Sequence, residues 1–502
     1  MLEERRPGAA DVTSVAEPTG PPFSAFRDPV TWATVSCVFG AYVTLSLFRL
    51  WQLMPSSWDL GIYTEYVKQF AHLRAPIVDV RGPGFNLLGD HFQVIVALIA
   101  PFFRVFPSPA TLLVAQALLT AVSVFPVTTA AVSLLGRGPG RAVGFAYGFS
   151  WGLQQMIDFD FHEIAFAVPL LAFSLSALLR GRTRAAVWWA LPLVFVKEDQ
   201  GFTVAAIGLL MVLTPRFRAL RGATRGGLFL AVWGLAWSLL AITVIIPHFN
   251  AQHHYIYWSL GGVVGSGSPF SGTGLIAQFF HAWPVKLETV VLLLLPTAFI
   301  ALGSPVALTV LPSLALRFLA TNPFYWEAMW HYNATAMPIL FLSAAEVMAR
   351  WRAVPAPEGA ATSSAGALWQ WARVGAARHG AAMMAALAVA LAFQYPLSNL
   401  WHAATYQTGP HVAADNAALA QVPDGATVQT TLGLLAPLAA RTDTFWIGNK
   451  GNPATQYIVF DGLESGYSPA PANVPKFIAS LYPHAGYTVI FDSNDVYVFR
   501  RG

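Results

Sequence analysis

Asp158-Phe159-Asp160-Phe161-His162-Glu163 places four ionisable side chains within six residues, between two apolar runs that look long enough to enter a bilayer. Ionisable groups at a membrane boundary are expensive to desolvate and read as functional. In an extended segment Asp158, Asp160 and His162 share one side and the two phenylalanines the other. A second acid, Asp59 in Trp58-Asp59-Leu60-Gly61, follows the first apolar run. The two acidic points are expected to face each other across one cavity.

The surroundings are those of a polytopic membrane protein. Of 502 residues 55% are hydrophobic and 11% charged, against about 25% charged in a soluble domain. The formal charge of +4 is small, and the single cysteine, Cys37, excludes an internal disulfide and a cysteine-based metal site. Residues 1–28 open polar and Pro/Gly-rich, read as a disordered cytoplasmic N-terminus. The run from Val30 to Trp51 is a retained span rather than a signal peptide.

Apolar runs bounded by arginines predict about eleven transmembrane helices, near 30–51, 110–135, 142–157, 165–179, 185–199, 202–214, 227–246, 288–303, 305–319, 334–349 and 381–396. Several fall short of about 20 residues and must tilt or kink. The basic residues set the orientation. Arg137 and Arg141, Arg180 to Arg184, Arg216 to Arg225 and Arg350 to Arg378 fall in cytoplasmic loops. Asp59, Asp90, the 158–163 acids and Lys197-Glu198-Asp199 then lie outside. This requires 92–106, which carries Pro101 and Arg104, to be an interfacial helix within a first external loop over 52–109. An ordinary short span there would invert every later loop.

After the transmembrane domain at 29–396, the tail 397–502 changes character. β-Branched and aromatic runs at 456–461, 487–492 and 495–500 read as strands, with helices near 413–421, 432–440 and 473–483. The alternation predicts a small extracytoplasmic α/β domain.

The stretches WDLGIYTEYVKQF (58–70), GDHFQVIVALIAPFFRVFPSPATLLVAQALL (89–119), DFDFHEIAF (158–166), VKEDQG (196–201) and WHYNATAMPILF (330–341) carry a resemblance. The chain is similar to the GT-C superfamily of membrane glycosyltransferases, and within it most resembles a bacterial family of predicted membrane proteins of unknown function. PDGATVQTT and the closing YTVIFDSNDVYVFRR fit the tail of that family. The resemblance implies an essential acid in the first external loop, the position of Asp59. It implies that Asp158, Asp160 and Glu163 bind a divalent cation, Mg or Mn, or orient donor and acceptor. It also implies a polyprenyl-phosphate sugar donor, used at the outer face of the cytoplasmic membrane. A tryptophan-rich motif for protein N-glycosylation is absent.

Such a transfer needs a carboxylate for the acceptor hydroxyl and cations for the leaving phosphate. Asp59 is the candidate base, although Ser56-Ser57-Trp58-Asp59 equally reads as a helix start. Asp158, Asp160, His162 and Glu163 are candidate ligands for a metal, with Glu163 alternatively in the first turn of a helix. Asp90 and His91 offer further contacts, or merely cap the interfacial helix. Lys197 is a phosphate contact or an ion-pair partner for Glu198 or the acidic stretch. Arg317 suits a phosphate through its planar fork. Trp330, His331 and Tyr332 stack on a sugar or join Trp326 in an interfacial belt. His248, His253 and His254 read as a solvated loop, and 261–274 as a mobile loop lacking the lysine of a P-loop. Asp461, Asp492 and Asp495 lie near strand ends without triad spacing, so the tail reads as an acceptor-binding or structural module.

The expected function is transfer of a sugar to an envelope glycan, lipid or protein, with no nucleic-acid partner. The alternatives are a transporter or flippase, whose halves should show repeat-related broken helices, and a non-catalytic envelope-assembly scaffold.

Overall fold

The computed structural model describes residues 24–55, 57–255, 272–353 and 364–502. Most of the 1–28 segment and most of the 261–274 loop therefore lie outside the described residues.

Helix α1, Pro29–Trp51, begins with proline at its first position, where no intrahelical donor is lost. Asp28 caps it, accepting from Thr31 N at 3.0 Å, and is itself clamped by Arg141. Twenty-three residues at about 1.5 Å each give roughly 34 Å, enough for a hydrocarbon core of about 30 Å. At its far end Arg49 pairs with Asp158 at 2.6 Å. Pro109–Leu135, Ala223–Phe249 and Gly366–Ala392 are also long and apolar enough to cross. A fifth crossing forms if Gly274–Phe280 and Trp283–Thr297, bent by 60°, act as one.

Of the remaining expected spans, Glu163–Leu179, Thr183–Phe195, Gln200–Leu213 and Pro305–Leu319 are short helices, 142–157 is divided between Arg137–Gly148 and Trp151–Asp158, and 334–349 lies in the eighteen-residue helix Ala336–Ala353. By length and composition, four helices among the described residues are long and apolar enough to cross, or five with the bent pair, and the expected eleven is not confirmed by that count. Proline explains much of the fragmentation, because it removes a donor and favours tight 3₁₀ turns, as at Leu191–Phe195, Leu295–Thr297 and Pro305–Val310. The stretch Val94–Val105 is twelve residues of 3₁₀ and α-helix, too short for a 30 Å core.

Helices Gln200–Leu213 and Ala223–Leu240 pack backbone against backbone. A Cβ at Gly201 would stand 2.3 Å from Gly234 O, so only glycine allows the approach. The same contact brings Ser238 Oγ to the Glu198 carbonyl at 2.5 Å and fixes the Lys197–Asp199 turn.

The tail forms a five-stranded sheet: β1 Thr427–Thr430, β2 Asp443–Trp446, β3 Tyr457–Asp461, β4 Tyr487–Ser493 and β5 Val496–Arg501. Their order is β2-β1-β3-β5-β4, with parallel pairs β1–β2 and β1–β3 and antiparallel pairs β3–β5 and β4–β5. Helices Pro410–Ala420, Leu432–Ala439 and Val474–Leu481 accompany it.

This unit sits on the first loop, whose helix α2 is Asp59–Ala71. Gly61 meets Leu435 of the Leu432–Ala439 helix, and Trp58 packs edge-on to Trp446 with ring centres 5.2 Å apart. Lys68 Nζ donates to Thr442 O at 2.7 Å, and Asn449 Nδ2 to Val80 O at 2.8 Å.

Candidate active site

The acidic hexapeptide is not an extended segment. Helix Trp151–Asp158 runs into its first residue, and Asp160 takes the left-handed region at φ 66°. The side chains consequently diverge rather than alternate. Asp158 turns to Arg49, and Asp160 Oδ2 accepts from Ser57 N at 3.2 Å. His162 and Glu163 go the other way, with His162 Nδ1 2.5 Å from Glu163 Oε2.

Glu163 is the hub. Lys197 Nζ stands 3.1 Å from its Oε1, and the Tyr63 hydroxyl donates to its Oε2. Glu163 and Lys197 are both buried, so the pair compensates charges that would be costly alone. Gln116 holds the backbone in place, accepting from His162 N at 2.9 Å and donating to Asp160 O.

Asp59 begins α2, its amide donating to Ser57 Oγ at 3.0 Å. Its carboxyl is within electrostatic reach of His162, Glu163 and Arg81. Burial pushes that carboxyl above its ordinary value, against the opposing pull of His162. The first-loop acid and part of the hexapeptide thus meet in one place, bridged by the Ser57–Asp160 and Tyr63–Glu163 contacts.

Beside this cluster lies a cavity of about 170 Å³. Lys197, Glu198, His91, Arg317, Tyr255 and Tyr332 contribute to its wall, together with apolar Ile164, Phe202 and Leu316. Asp59 is within electrostatic reach of Tyr332 and hence of this wall. Glu198 accepts from His91 Nδ1 at 2.7 Å, Phe92 N at 3.0 Å and the Tyr255 hydroxyl at 2.9 Å. Burial and Lys197 oppose charge on His91, but Glu198 outweighs them and raises the imidazole above its usual value.

Arg317 is oriented by Tyr325 O at 2.6 Å and Asn333 Oδ1 at 3.0 Å, and lies over the Tyr332 ring. Among the described residues no carboxylate forms a salt bridge with it. His331 stacks on His162 with ring centres 3.7 Å apart and adjoins Tyr332 at 3.9 Å. Trp330 stands outside the cavity wall, against Phe159 and bonded to Glu327 at 2.9 Å. Asp90 is drawn to Arg81 at 3.1 Å. Trp326, expected in an interfacial belt, is buried and donates to Ala320 O.

The donor set tests the expected divalent cation. Among the described residues Asp158, Asp160, His162 and Glu163 do not bring three ligand atoms together. Asp158 is paired with Arg49, and Glu163 is neutralised by Lys197 and His162. These residues do not fit a bound metal in this arrangement.

Residues 49–498 match the family of predicted membrane proteins DUF2079. The chain belongs to that family. No curated protein matches the sequence. Among solved structures, this DUF2079 protein is similar to ArnT from Cupriavidus metallidurans, determined bound to undecaprenyl phosphate. That match has 13% identity and a TM-score of 0.53, covering 94% of this chain and 98% of that one. Looser likenesses link it to the Archaeoglobus fulgidus oligosaccharyltransferase (12% identity, TM-score 0.42, 95% and 74% covered) and to arabinosyltransferase EmbB from Mycobacterium smegmatis (15%, 0.39, 74% and 41%). These neighbours are GT-C glycosyltransferases; at such identities the likeness is one of fold, and ArnT carries it.

Sequence reading of this DUF2079 protein missed Tyr63, Arg81 and Tyr255. Tyr63 had a signal, because it follows Asp59 by four residues and shares its helix face. Arg81 and Tyr255 reach the cluster only through long-range folding.

Proposed function

We propose that this protein is a membrane glycosyltransferase that moves a sugar from a polyprenyl-phosphate carrier to an envelope glycan, lipid or protein, at the outer face of the cytoplasmic membrane. One observation carries the reading: a cavity walled by Lys197 and Arg317 lies beside Glu163, with Asp59 within electrostatic reach of Tyr332 on its wall. Two cations beside apolar surface suit a phosphate with a hydrocarbon tail, and the guanidinium suits it in geometry as well as charge. ArnT, of the same fold, was solved with undecaprenyl phosphate.

In this reading Asp59 accepts the proton of the acceptor hydroxyl. The oxygen bonds to the anomeric carbon with inversion as the bond to the phosphate oxygen breaks. The polyprenyl phosphate leaves with the electron pair, its charge met by Lys197 and Arg317. Glu163 positions Lys197, and His162 opposes the upward push of burial on the Asp59 carboxyl. The same reading places the sheet and its helices in a C-terminal extracytoplasmic domain, residues 397–502.

Native mass spectrometry of the purified chain with a polyprenyl phosphate tests it. A hydrogen bond to a charged group contributes about 1.5–3 kcal/mol, so Arg317→Gln is expected to weaken binding by roughly 10-fold to 150-fold. Binding unchanged in Arg317→Gln would remove the phosphate from this cavity.

A further inference from the structure

A second group of ionisable residues lies away from the membrane helices. His411 and Asp415 are one turn apart on helix Pro410–Ala420, and Asp461 ends β3. One ligand atom from each lies within 4.8 Å of the others. His411 Nε2 is 2.9 Å from Asp461 Oδ1 and 3.5 Å from Asp415 Oδ2. Ligands at about 2.0–2.1 Å around a tetrahedral ion stand about 3.3 Å apart, and those two separations bracket that edge.

Two further features point to a cation. Asp415 is 1% exposed and Asp461 0%; Asp461 Oδ1 already accepts from Leu463 N at 2.9 Å and Glu464 N at 3.2 Å, while the other oxygen of each carboxylate, Asp415 Oδ1 and Asp461 Oδ2, is shielded from solvent without a hydrogen-bond partner. Buried carboxylate oxygens are costly unless something positive meets them. The imidazole is also set in a particular tautomer. His411 Nδ1 is 2.8 Å from the carbonyl of Asn494, an acceptor only, so Nδ1 carries the proton. In the neutral ring this leaves the Nε2 lone pair facing two carboxylates. A carbonyl behind the imidazole is the usual outer support of a metal-bound histidine.

We propose that His411, Asp415 and Asp461 hold a divalent cation that joins the first helix of the C-terminal unit to β3. The imidazole with two carboxylates favours Zn²⁺ or Mn²⁺ over Ca²⁺ or Mg²⁺, which prefer all-oxygen sites. The position gives it a docking role. Gly433, whose Cβ would stand 3.0 Å from Asp461 Oδ2, opens the helix that packs on α2, and the same Cβ would lie 3.3 Å from Leu53 O at the end of α1. The ion therefore sits where the sheet meets the membrane helices, and it is independent of the transfer reaction proposed above.

The test uses the full chain in detergent. Elemental mass spectrometry of the protein as purified is expected to find about one Zn or Mn per chain, removed by EDTA. Adding back Zn²⁺ or Mn²⁺ should raise the melting temperature. His411→Ala, at a partly exposed position, should lower affinity for the added ion by about 100-fold or more and abolish that rise, whereas Asp59→Asn should retain both. Saturation of the wild type with Mn²⁺ gives a readout that needs no variant, a paramagnetic resonance spectrum coupled to one imidazole nitrogen. No bound metal together with no melting shift for either ion, a Mn²⁺ spectrum without nitrogen coupling, or unchanged binding in folded His411→Ala would each overturn the site and leave His411 as a plain ion-pair partner.

Discussion

The buried pair of Lys197 and Glu163 is the contact on which the cluster's geometry depends, and its removal has a calculable consequence. At 3.1 Å and an effective dielectric of about 20, the attraction is roughly 332/(20 × 3.1), or about 5 kcal/mol before desolvation is counted. Deleting one partner leaves an uncompensated buried charge and costs about 3–5 kcal/mol. The two deletions are not equivalent. Without Lys197, Glu163 keeps His162 and Tyr63; without Glu163, Lys197 is left beside Glu198, which is already engaged by His91. Glu163→Gln is therefore expected to lie at the upper end of that range and Lys197→Met at the lower. The double variant removes both charges, so its cost should fall short of the sum of the singles by about 1–3 kcal/mol. Unfolding of the four proteins in mixed detergent–SDS micelles, followed by tryptophan fluorescence, measures this. Additivity within about 0.5 kcal/mol would refute the coupling and with it the role given to Glu163.

Two further outcomes follow from the first loop. Burial pushes Glu65 up to about 8 from 4.5, while its Oε2 accepts from Val80 N at 3.0 Å. A carboxyl raised on folding contributes stability that is complete below its unfolded value and lost as pH rises through the folded one. Wild type should therefore lose melting temperature relative to Glu65→Gln between about pH 4.5 and 8; parallel curves would count against a buried, protonated Glu65. Gly61→Val places a Cβ 3.0 Å from Leu435 Cβ, an overpacking that costs about 1–3 kcal/mol. Its expected signature is faster limited proteolysis at the seam between α2 and the Leu432–Ala439 helix, and cleavage no faster than wild type would show that the sheet is held elsewhere.

Helix positions were legible because apolar runs and bounding arginines mark them, as at Pro29–Trp51 and Ala223–Phe249. Where the helices break was not, because prolines such as Pro192 and Pro296 divide helices that sequence alone joins. Strands β3, β4 and β5 announced themselves through β-branched and aromatic runs. β1 and β2 are four residues each, and β1 is Thr-Val-Gln-Thr, with Gln429 buried and bonded to Asn452, Tyr482 and Pro453. No hydrophobic pattern identifies such a strand. The hexapeptide was misread as alternating because the left-handed turn at Asp160 carries no side-chain signature. Of the proposed cation site in the tail only Asp461 stood out in the sequence, since His411 lies fifty positions before it.

In the proposed reaction a sugar leaves a polyprenyl phosphate at a site that includes Asp59. Mass spectrometry of lipid-linked sugars and envelope glycans from a deletion strain tests it most directly, with wild type and Asp59→Asn restored in turn. The prediction is that one polyprenyl-phosphate sugar accumulates in the deletion strain, clears with wild type and persists with stably folded Asp59→Asn. Unchanged lipid-linked sugars and glycans in the deletion strain, or full clearance by Asp59→Asn, would contradict it.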